Sequence, residues 1–225
     1  MHGSLKILWR GSNAIAVEKP AGLATQAALP NESVESCLRE QLESKYVAMV
    51  HRLDRPVTGV LLVATTKAAA RVLSEQFAAR RVQKMYVGCV EGRFPIGEPC
   101  VWKDWIRKLP DQAKAEICGA DDDGAREAES AVTGLEYDPE IDRSLVQFSP
   151  KTGRMHQLRL QASRREFPIV GDQLYGSTSP PLKSGRGEQI LLHAASLIFY
   201  DPKTCKQVTV SSTVPFESNG MLHGE

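Results

Sequence analysis

The chain has 225 residues, of which 42% are hydrophobic and 24% charged, with a net charge of +1. This size allows one sizeable core, or a main domain with a small lobe. No apolar run approaches the ~20 residues that cross a bilayer, and the opening segment is too short and polar for a secretory signal. We therefore expect a cytoplasmic protein without membrane contact. The five cysteines form no CxxC pair and the five histidines no HxxxH pair, which argues against disulfides and a metal site.

The pattern of apolar residues predicts mostly strands. In chain order, it predicts strands over 5–9 and 14–18, a turn over 19–23, a helix over 31–46, strands over 47–50 and 59–65, a helix over 67–81 and a strand over 82–92. Short strands around a surface loop are expected over 93–123, then strands over 126–137 and 143–150, a helix over 152–164, a flexible stretch over 177–187 and closing strands over 190–201 and 206–212. Sequential strands with three helices favour an α+β fold with a mixed, mostly antiparallel sheet.

Each predicted helix begins next to a residue that can cap it. Asn31, Thr66 and Thr152 directly precede or open the three helical periods, and their side-chain oxygens can accept a hydrogen bond from a backbone N–H of the first turn. We expect all three to be N-caps.

Charge is distributed unevenly along the chain. Residues 116–142 hold ten acidic residues against one base, a net charge of −9, so the remainder carries +10. Residues 143–165 contain six basic residues and no acid. Such an asymmetry suits a polyanion held in one orientation, although charge runs are usually only a solvated surface. On the first interpretation, Arg164 and Arg165 contact phosphates and the acidic stretch faces away.

The segment HRLDRPVTG (51–59) carries the first candidate for chemistry, Asp54. It lies between a strand end and a glycine-containing loop, with arginine on both sides. Taken alone, this pattern favours a turn residue or a surface ion pair over a catalytic carboxylate.

Two further segments carry candidates. In TGRMHQLRL (152–160), Arg159 stands between two leucines, and a partly buried arginine needs a partner, for which Asp54 is a candidate. In QKMYVG (83–88), Tyr86 faces inward by strand alternation, which for a single tyrosine usually means a core position.

Together these segments resemble the RluA-type pseudouridine synthases. The motifs are VEKPAGLA (17–24), HRLD (51–54) followed by Gly59, KMY (84–86), TGRMHQLR (152–159), GDQLYG (171–176) and LLHA (191–194). Each is weak by itself, but their order and separations match the family over roughly residues 5–216. The resemblance implies the pseudouridine synthase fold with a central active-site cleft. Many relatives carry an S4 RNA-binding domain, but this sequence starts at the first motif, so we expect a single catalytic domain over 1–225 without a separate RNA-binding domain.

The resemblance also implies roles for individual residues. Asp54 falls on the essential aspartate, Arg159 on the basic residue that pairs with it, and Tyr86 on the tyrosine that packs against the target base and is the candidate to take its C5 proton. Arg52 falls on an arginine that fills the space of the flipped uridine, and Leu192 on the wall of the base pocket. The remaining substrate contacts are expected from Thr58, Arg154 and His156. The chain departs from the family at Val57, Met155 and Gln161.

The implied reaction converts uridine to pseudouridine in rRNA or tRNA. The glycosidic bond breaks and C5 of the base joins the ribose, so neither cofactor nor metal is required, and the base must first leave the RNA stack. The carboxylate acts as a nucleophile or removes a ribose proton. Two alternatives remain open: a catalytically silent RNA-binding or ribosome-assembly relative, and a glycoside hydrolase, which would need a second carboxylate. We expect a monomer whose partner is structured RNA.

Overall fold

The computed structural model describes residues 4–216 except 29, 45 and 98. In this part of the chain, three α-helices accompany strands that pair mostly antiparallel, which confirms the predicted α+β class. The chain forms two compact units. Among the described residues, the first comprises those within 4–84, 183–189 and 193–213, and the second comprises those within 85–182, 190–192 and 214–216.

The bounds of the elements follow the predicted order. The strands are β1 (Ile7–Arg10), β2 (Ala14–Lys19), β3 (Ala48–Met49), β4 (Thr58–Ala64), β5 (Gln83–Glu91), β6 (Cys100–Lys108), β7 (Ala115–Cys118), β8 (Arg126–Asp138), β9 (Arg143–Pro150), β10 (Leu182–Ser184), β11 (Gly187–Gln189), β12 (Leu192–Tyr200) and β13 (Gln207–Ser211). The helices are α1 (Val34–Gln41), α2 (Lys67–Ala78) and α3 (Gln157–Arg164), with a 3-10 turn at Gln173–Tyr175.

In the first unit, the fully buried strand β4 is the centre of the sheet. It pairs antiparallel with β2 and β3 and parallel with β12, while β1 and β13 extend the sheet on either side. At the parallel pairing, Gly59 has a φ of 113°, and a Cβ there would stand 2.3 Å from the carbonyl oxygen of Ala194. Only glycine therefore permits β12 to approach the start of β4 this closely.

Helix α2 covers one face of this sheet. Its buried residues Ala69 and Leu73 pack with Val60 and Leu62 of β4 and with Phe199 of β12. Thr66 caps the helix, as predicted, because its hydroxyl accepts a hydrogen bond from the backbone N–H of Ala69 at 3.2 Å.

Helix α1 begins later than predicted. Ser33, rather than Asn31, is its N-cap, and the hydroxyls of Ser33 and Ser36 each bond to the backbone N–H of the other residue. This reciprocal capping box satisfies two of the free N–H groups at the helix start. The prediction of Asn31 was wrong because the first residue able to cap is not the one that completes the box.

In the second unit, five strands pair in the order β5-β9-β8-β6-β7, all antiparallel. The buried residues Ile106, Ala128 and Leu160 form a core cluster in which α3 packs against β6 and β8. Residues 93–123, predicted as short strands around a surface loop, contain β6 and β7, which pair as an antiparallel hairpin. The stretch 177–187, expected to be flexible, includes β10 and the start of β11.

Helix α3 also begins later than predicted. It starts at Gln157, and its N-cap position is His156, whose φ of 54° places it in the left-handed region. Thr152 is not the cap, because its hydroxyl donates to the side-chain oxygen of Gln157 at 2.7 Å. All six residues from Gln157 to Ala162 are buried, so α3 is an internal helix. No helix in the described part of the chain has both the length and the apolar character that crossing a bilayer demands.

Candidate active site

The proposed site residues divide between the two units. Asp54, Arg52 and Thr58 belong to the first unit. The second unit contains the other proposed residues, Tyr86, Arg154, His156, Arg159, Arg164, Arg165 and Leu192. We describe each set within its own unit.

The loop that carries Asp54 is bonded to the turn after β2. The hydroxyl of Thr25 donates to the carbonyl of Leu53 at 2.8 Å and accepts from its N–H at 3.1 Å. On the other side of Asp54, the N–H of Gly22 donates to the carbonyl of Arg55, and Nε of Arg55 donates to the carbonyl of Gly22. The backbone on both sides of Asp54 is therefore fixed, while Asp54 itself is only half-buried.

A buried lysine completes this arrangement. Lys19 is fully buried, and its Nζ donates to the carbonyls of Pro20, Arg55 and Val57 at 2.8, 3.1 and 2.7 Å. Burial lowers the pKa of Lys19 to about 7, although the charge of Asp54 acts in the opposite direction. In the sequence analysis, Lys19 appears only as part of the motif VEKPAGLA (17–24). The feature that could have indicated its burial is its position at the end of an apolar strand, directly before a proline.

Thr58 takes part in a buried chain of hydrogen bonds. Its hydroxyl lies 2.7 Å from Nδ1 of His193, Nε2 of His193 lies 3.1 Å from the hydroxyl of Ser212, and Ser212 donates to Glu18 at 2.6 Å. Because Glu18 can only accept, the order of donors places the proton of His193 on Nε2. Burial lowers the pKa of His193 to about 4, so the ring is neutral. Thr58, which is expected to contact substrate, uses its hydroxyl in this chain, and the residue as a whole is 8% exposed.

Tyr86 and Leu192 lie near one another on the second unit's sheet. Tyr86 is half-buried in β5, opposite the buried Phe148 of β9. Gly88 occupies the next position along the same face. A Cβ at Gly88 would stand 3.3 Å from Cδ1 of Leu192, so the Leu192 side chain lies against this glycine. The two residues are thus compatible with the predicted apolar base pocket.

Arg159 forms a buried ion pair that the sequence did not predict. Its Nε lies 2.6 Å and its Nη2 2.7 Å from the two carboxylate oxygens of Asp172, and the two residues are 5% and 1% exposed. The guanidinium also lies over the ring of Tyr175, 5.0 Å from its centre. Both partners come from the motif GDQLYG (171–176), which entered the sequence analysis only as a family marker. The expected pairing of Arg159 with Asp54 stays a prediction.

His156 and Arg154, two more residues of the segment TGRMHQLRL (152–160), also form hydrogen bonds. Nδ1 of His156 lies 2.7 Å from the hydroxyl of Tyr175, which also accepts from the N–H of Ala115 at 3.1 Å. Nε of Arg154 donates to the carbonyl of Glu127 at 2.8 Å. Both His156 and Arg154 are half-buried, so part of each side chain reaches solvent.

Gln161, where the family commonly has histidine, holds α3 in place. Its side-chain oxygen accepts from the hydroxyl of Ser130 at 2.7 Å, and its amide donates to the carboxylate of Asp104 at 2.9 Å. It is completely buried. The glutamine that replaces the family histidine therefore has a structural role, because it joins α3 to Asp104 of β6 and to Ser130 of β8.

The basic residues at the end of α3 differ from one another. Arg164 is exposed. Arg165 bonds to Asp104 at 2.9 Å and stacks over Trp102 at 4.8 Å, so its guanidinium is already engaged. The two stretches meet at one point, because Lys151 forms an ion pair with Glu129 at 3.1 Å. That the acidic stretch faces away from the RNA stays a prediction.

Arg52, next to the Asp54 loop, is exposed, as a residue that contacts RNA must be. Among the described residues, no group of three or more histidine, cysteine, aspartate or glutamate side chains is arranged to hold a metal ion. The cofactor-free, metal-free reaction stays a prediction.

The family model of RNA pseudouridylate synthase matches residues 13–164, about two thirds of the chain. The chain belongs to this family. The RluA-type resemblance is thus confirmed, and the enzyme class is an isomerase that acts on RNA.

Individual relatives agree with this assignment. The tRNA pseudouridine synthase C of Pasteurella multocida is 35% identical over 94% of this chain and 92% of its own. The dual-specificity RNA pseudouridine synthase RluA of Escherichia coli K12 is 32% identical over 94% of each. Among solved structures, human RNA pseudouridylate synthase domain containing 1 superposes with a TM-score of 0.77 at 27% identity, covering 96% of this chain and 86% of its own. These similarities extend over nearly the whole chain, so the pseudouridine synthase activity follows from them.

Proposed function

We propose that this pseudouridine synthase isomerises uridine in tRNA or rRNA and that Asp54 is its catalytic carboxylate. The observation that carries the proposal is the fixed loop of Asp54. Hydrogen bonds from Gly22 and Thr25 hold the backbone on both sides, while the carboxylate stays partly exposed. A catalytic group needs this combination. Holding it in the correct orientation lowers the activation free energy of the reaction, and its partial exposure lets it reach the substrate.

The other roles follow from the chemistry. The target uridine leaves the RNA stack, and Arg52 takes its position, a role that its exposure supports. Asp54 attacks the nucleotide or removes a ribose proton, the bond between the base and C1′ of the ribose breaks, and the base is held while it rotates. C5 then bonds to C1′ and loses its proton to a base, for which Tyr86 is the candidate. Tyr86 packs against the flipped base and Leu192 forms part of the apolar wall. The position of the Leu192 side chain, against Gly88 two residues after Tyr86 in β5, supports these roles.

Arg159 supplies the positive charge of the site. We propose that it keeps Asp54 ionised and directs it, since an adjacent cation favours the charged form of a carboxylate. Its burial together with Asp172 supports this role, because a buried arginine is held in one orientation.

RNA recognition is proposed to rest on shape and phosphate contacts. The half-buried Arg154 and His156 and the exposed Arg164 supply contacts beside α3. Relatives named for tRNA and for dual-specificity RNA modification support tRNA or rRNA as the substrate. We further propose one catalytic domain over 1–225 and a monomeric, cytoplasmic enzyme without cofactor or metal.

The direct test uses the purified protein and unmodified transcripts of tRNA and rRNA. Incubation in the presence of EDTA should yield pseudouridine at one or a few positions, detected by chemical mapping, with no change in RNA mass. Release of free uracil would indicate a hydrolase instead. Tight binding without any pseudouridine would indicate a catalytically silent relative.

A further inference from the structure

A short segment of the second unit encloses the Arg159 guanidinium. Asp172 and Tyr175, three positions apart in the segment 171–176, contact it by an ion pair and by a stacked ring. Tyr175 is in turn fixed through its hydroxyl, which bonds to the N–H of Ala115. The segment is therefore anchored to β7 while it holds Arg159.

The geometry of the ion pair restricts the guanidinium strongly. Two parallel N–H···O bonds of 2.6 and 2.7 Å join Nε and Nη2 of Arg159 to the two oxygens of Asp172. Such a bidentate pair fixes both the position and the plane of the guanidinium. The Tyr175 ring, 5.0 Å away, adds a stacking contact. Rotation of Arg159 would break both contacts at once.

The burial of the pair makes this restriction costly to remove. Asp172 is 1% exposed and Arg159 is 5% exposed, and a buried carboxylate requires a compensating charge. A pair of this kind is weak evidence for stability by itself, because hydrophobic replacements often do as well. Its value is more readily explained by the orientation that it gives to Arg159.

We propose that Asp172 is a positioning residue of the pseudouridine synthase reaction: it does not touch substrate but holds Arg159 in its working orientation. This inference rests on the role of Arg159 in the proposed function. It assigns a purpose to the aspartate of the GDQLYG segment, which turns back onto α3 through the 3-10 turn Gln173–Tyr175.

The test compares Asp172→Asn with two control variants. An amide presents one oxygen and one NH2 to the guanidinium, so the bidentate bond is lost although the shape is kept. Asp201→Asn is the chemical control, because Asp201 is a buried aspartate of the first unit whose carboxylate accepts bonds within its own turn, from the N–H groups of Lys203 and Thr204. Phe94→Leu is the stability control, since Phe94 is a buried residue of the second unit that packs against Trp102 and Phe167.

Turnover is measured at a temperature where circular dichroism shows every variant to be folded. We expect Asp172→Asn to lower kcat up to roughly 100-fold, the effect of misplacing a reacting group by about 1 Å, with KM for RNA changed less than about threefold. Both controls should keep kcat within about twofold of the parent. Parental kcat in Asp172→Asn would overturn the proposal.

A second variant covers failure of Asp172→Asn to fold. Asp172→Glu keeps the charge but displaces the guanidinium by one methylene, and it should fold and show reduced kcat. If it folds with parental kcat, the proposal is likewise overturned. Arg159→Ala separates this result from the underlying function: loss of turnover there, with full turnover in the Asp172 variants, rejects only the positioning role. An inactive parent enzyme rejects the proposed function itself.

Discussion

The hydroxyl of Thr58 lies 2.7 Å from Nδ1 of His193, although the two residues are separated by 135 positions. They are neighbours because β4 and β12 pair in parallel at this point. Thr58 begins β4 directly after the loop of Asp54, so this bond connects that loop to the buried chain that continues to Ser212 and Glu18.

Thr58→Val should therefore destabilise the protein while Thr58→Ser should not. Valine has nearly the same shape but leaves the buried Nδ1 of His193 without this donor, at a cost of roughly 1–3 kcal/mol. Urea unfolding monitored by circular dichroism measures the difference. Equal free energies of unfolding for the two variants would show that the bond does not contribute.

Acid should destabilise the protein through two neutral histidines. Burial lowers the pKa of His193 to about 4. Burial, with a smaller effect from the positive charge of Lys84, lowers the pKa of His51 to about 3. The unfolded chain binds protons at both below about pH 6.5 while the folded chain does not, so their contribution is complete above pH 6.5 and declines as pH falls. We expect a loss of about 1–2 kcal/mol per histidine at pH 5.

Urea unfolding at pH 7 and pH 5 measures this loss. In His51→Gln, the amide oxygen can still accept from the N–H of Leu62, which Nε2 of His51 accepts from at 2.8 Å, and it cannot titrate. This variant should lose less stability between the two pH values than the parent. An identical loss in both proteins would exclude His51 as a source of acid sensitivity.

Lys19→Met should impair both stability and turnover. The change removes the donor for three backbone carbonyls, two of which, Arg55 and Val57, lie in the Asp54 loop. Buried acceptors without a donor cost roughly 1–3 kcal/mol, and the loop loses a fixed point. Lys67→Met is the matched control, since Lys67 is an exposed lysine of the first unit at the start of α2. Unfolding and turnover in Lys19→Met that match this control would contradict the account.

Arg164 and Arg165 should behave differently in RNA binding. Arg164→Ala should reduce the slope of log affinity against log salt by roughly 0.7, the value for one phosphate contact on single-stranded RNA. Arg165→Ala should mainly lower the melting temperature, because it removes the partner of the largely buried Asp104 and the contact with Trp102. Binding curves at several salt concentrations distinguish the two. An unchanged slope in Arg164→Ala would place the RNA elsewhere.

Local sequence signals predicted much of the fold. The Thr66 cap and helix α2 were correct because capping and apolar periodicity agree there. The predicted helix over 152–164 starts five residues before the observed α3, because Thr152 is a residue type that commonly caps helices. In the structure, its hydroxyl and the N–H of Arg154 both bond to the Gln157 side chain, which forms a turn before the helix. Such side-chain bonds compete with helix formation and are not visible in periodicity.

The proposed site residues were likewise predictable only as individual motifs. The sequence offers Asp54, Tyr86 and Arg159 as candidates, and their catalytic roles stay predictions, but it did not identify Asp172 as a partner of Arg159. Apolar periodicity predicts single helices and strands. It does not predict this ion pair, because Arg159 lies in α3 and Asp172 lies directly before a separate 3-10 turn. The buried position of Lys19 was missed for the same reason.

The measurement that tests the central claim most directly is pseudouridine formation by Asp54→Asn on the RNA that the parent enzyme modifies. The half-buried position of Asp54 and the nearly equal shape of asparagine should leave the fold and RNA affinity largely intact. Folding is checked by circular dichroism, and affinity by binding curves at fixed salt. The account predicts no detectable pseudouridine under conditions where the parent converts the site completely. Appreciable turnover by the purified, folded Asp54→Asn variant would contradict it.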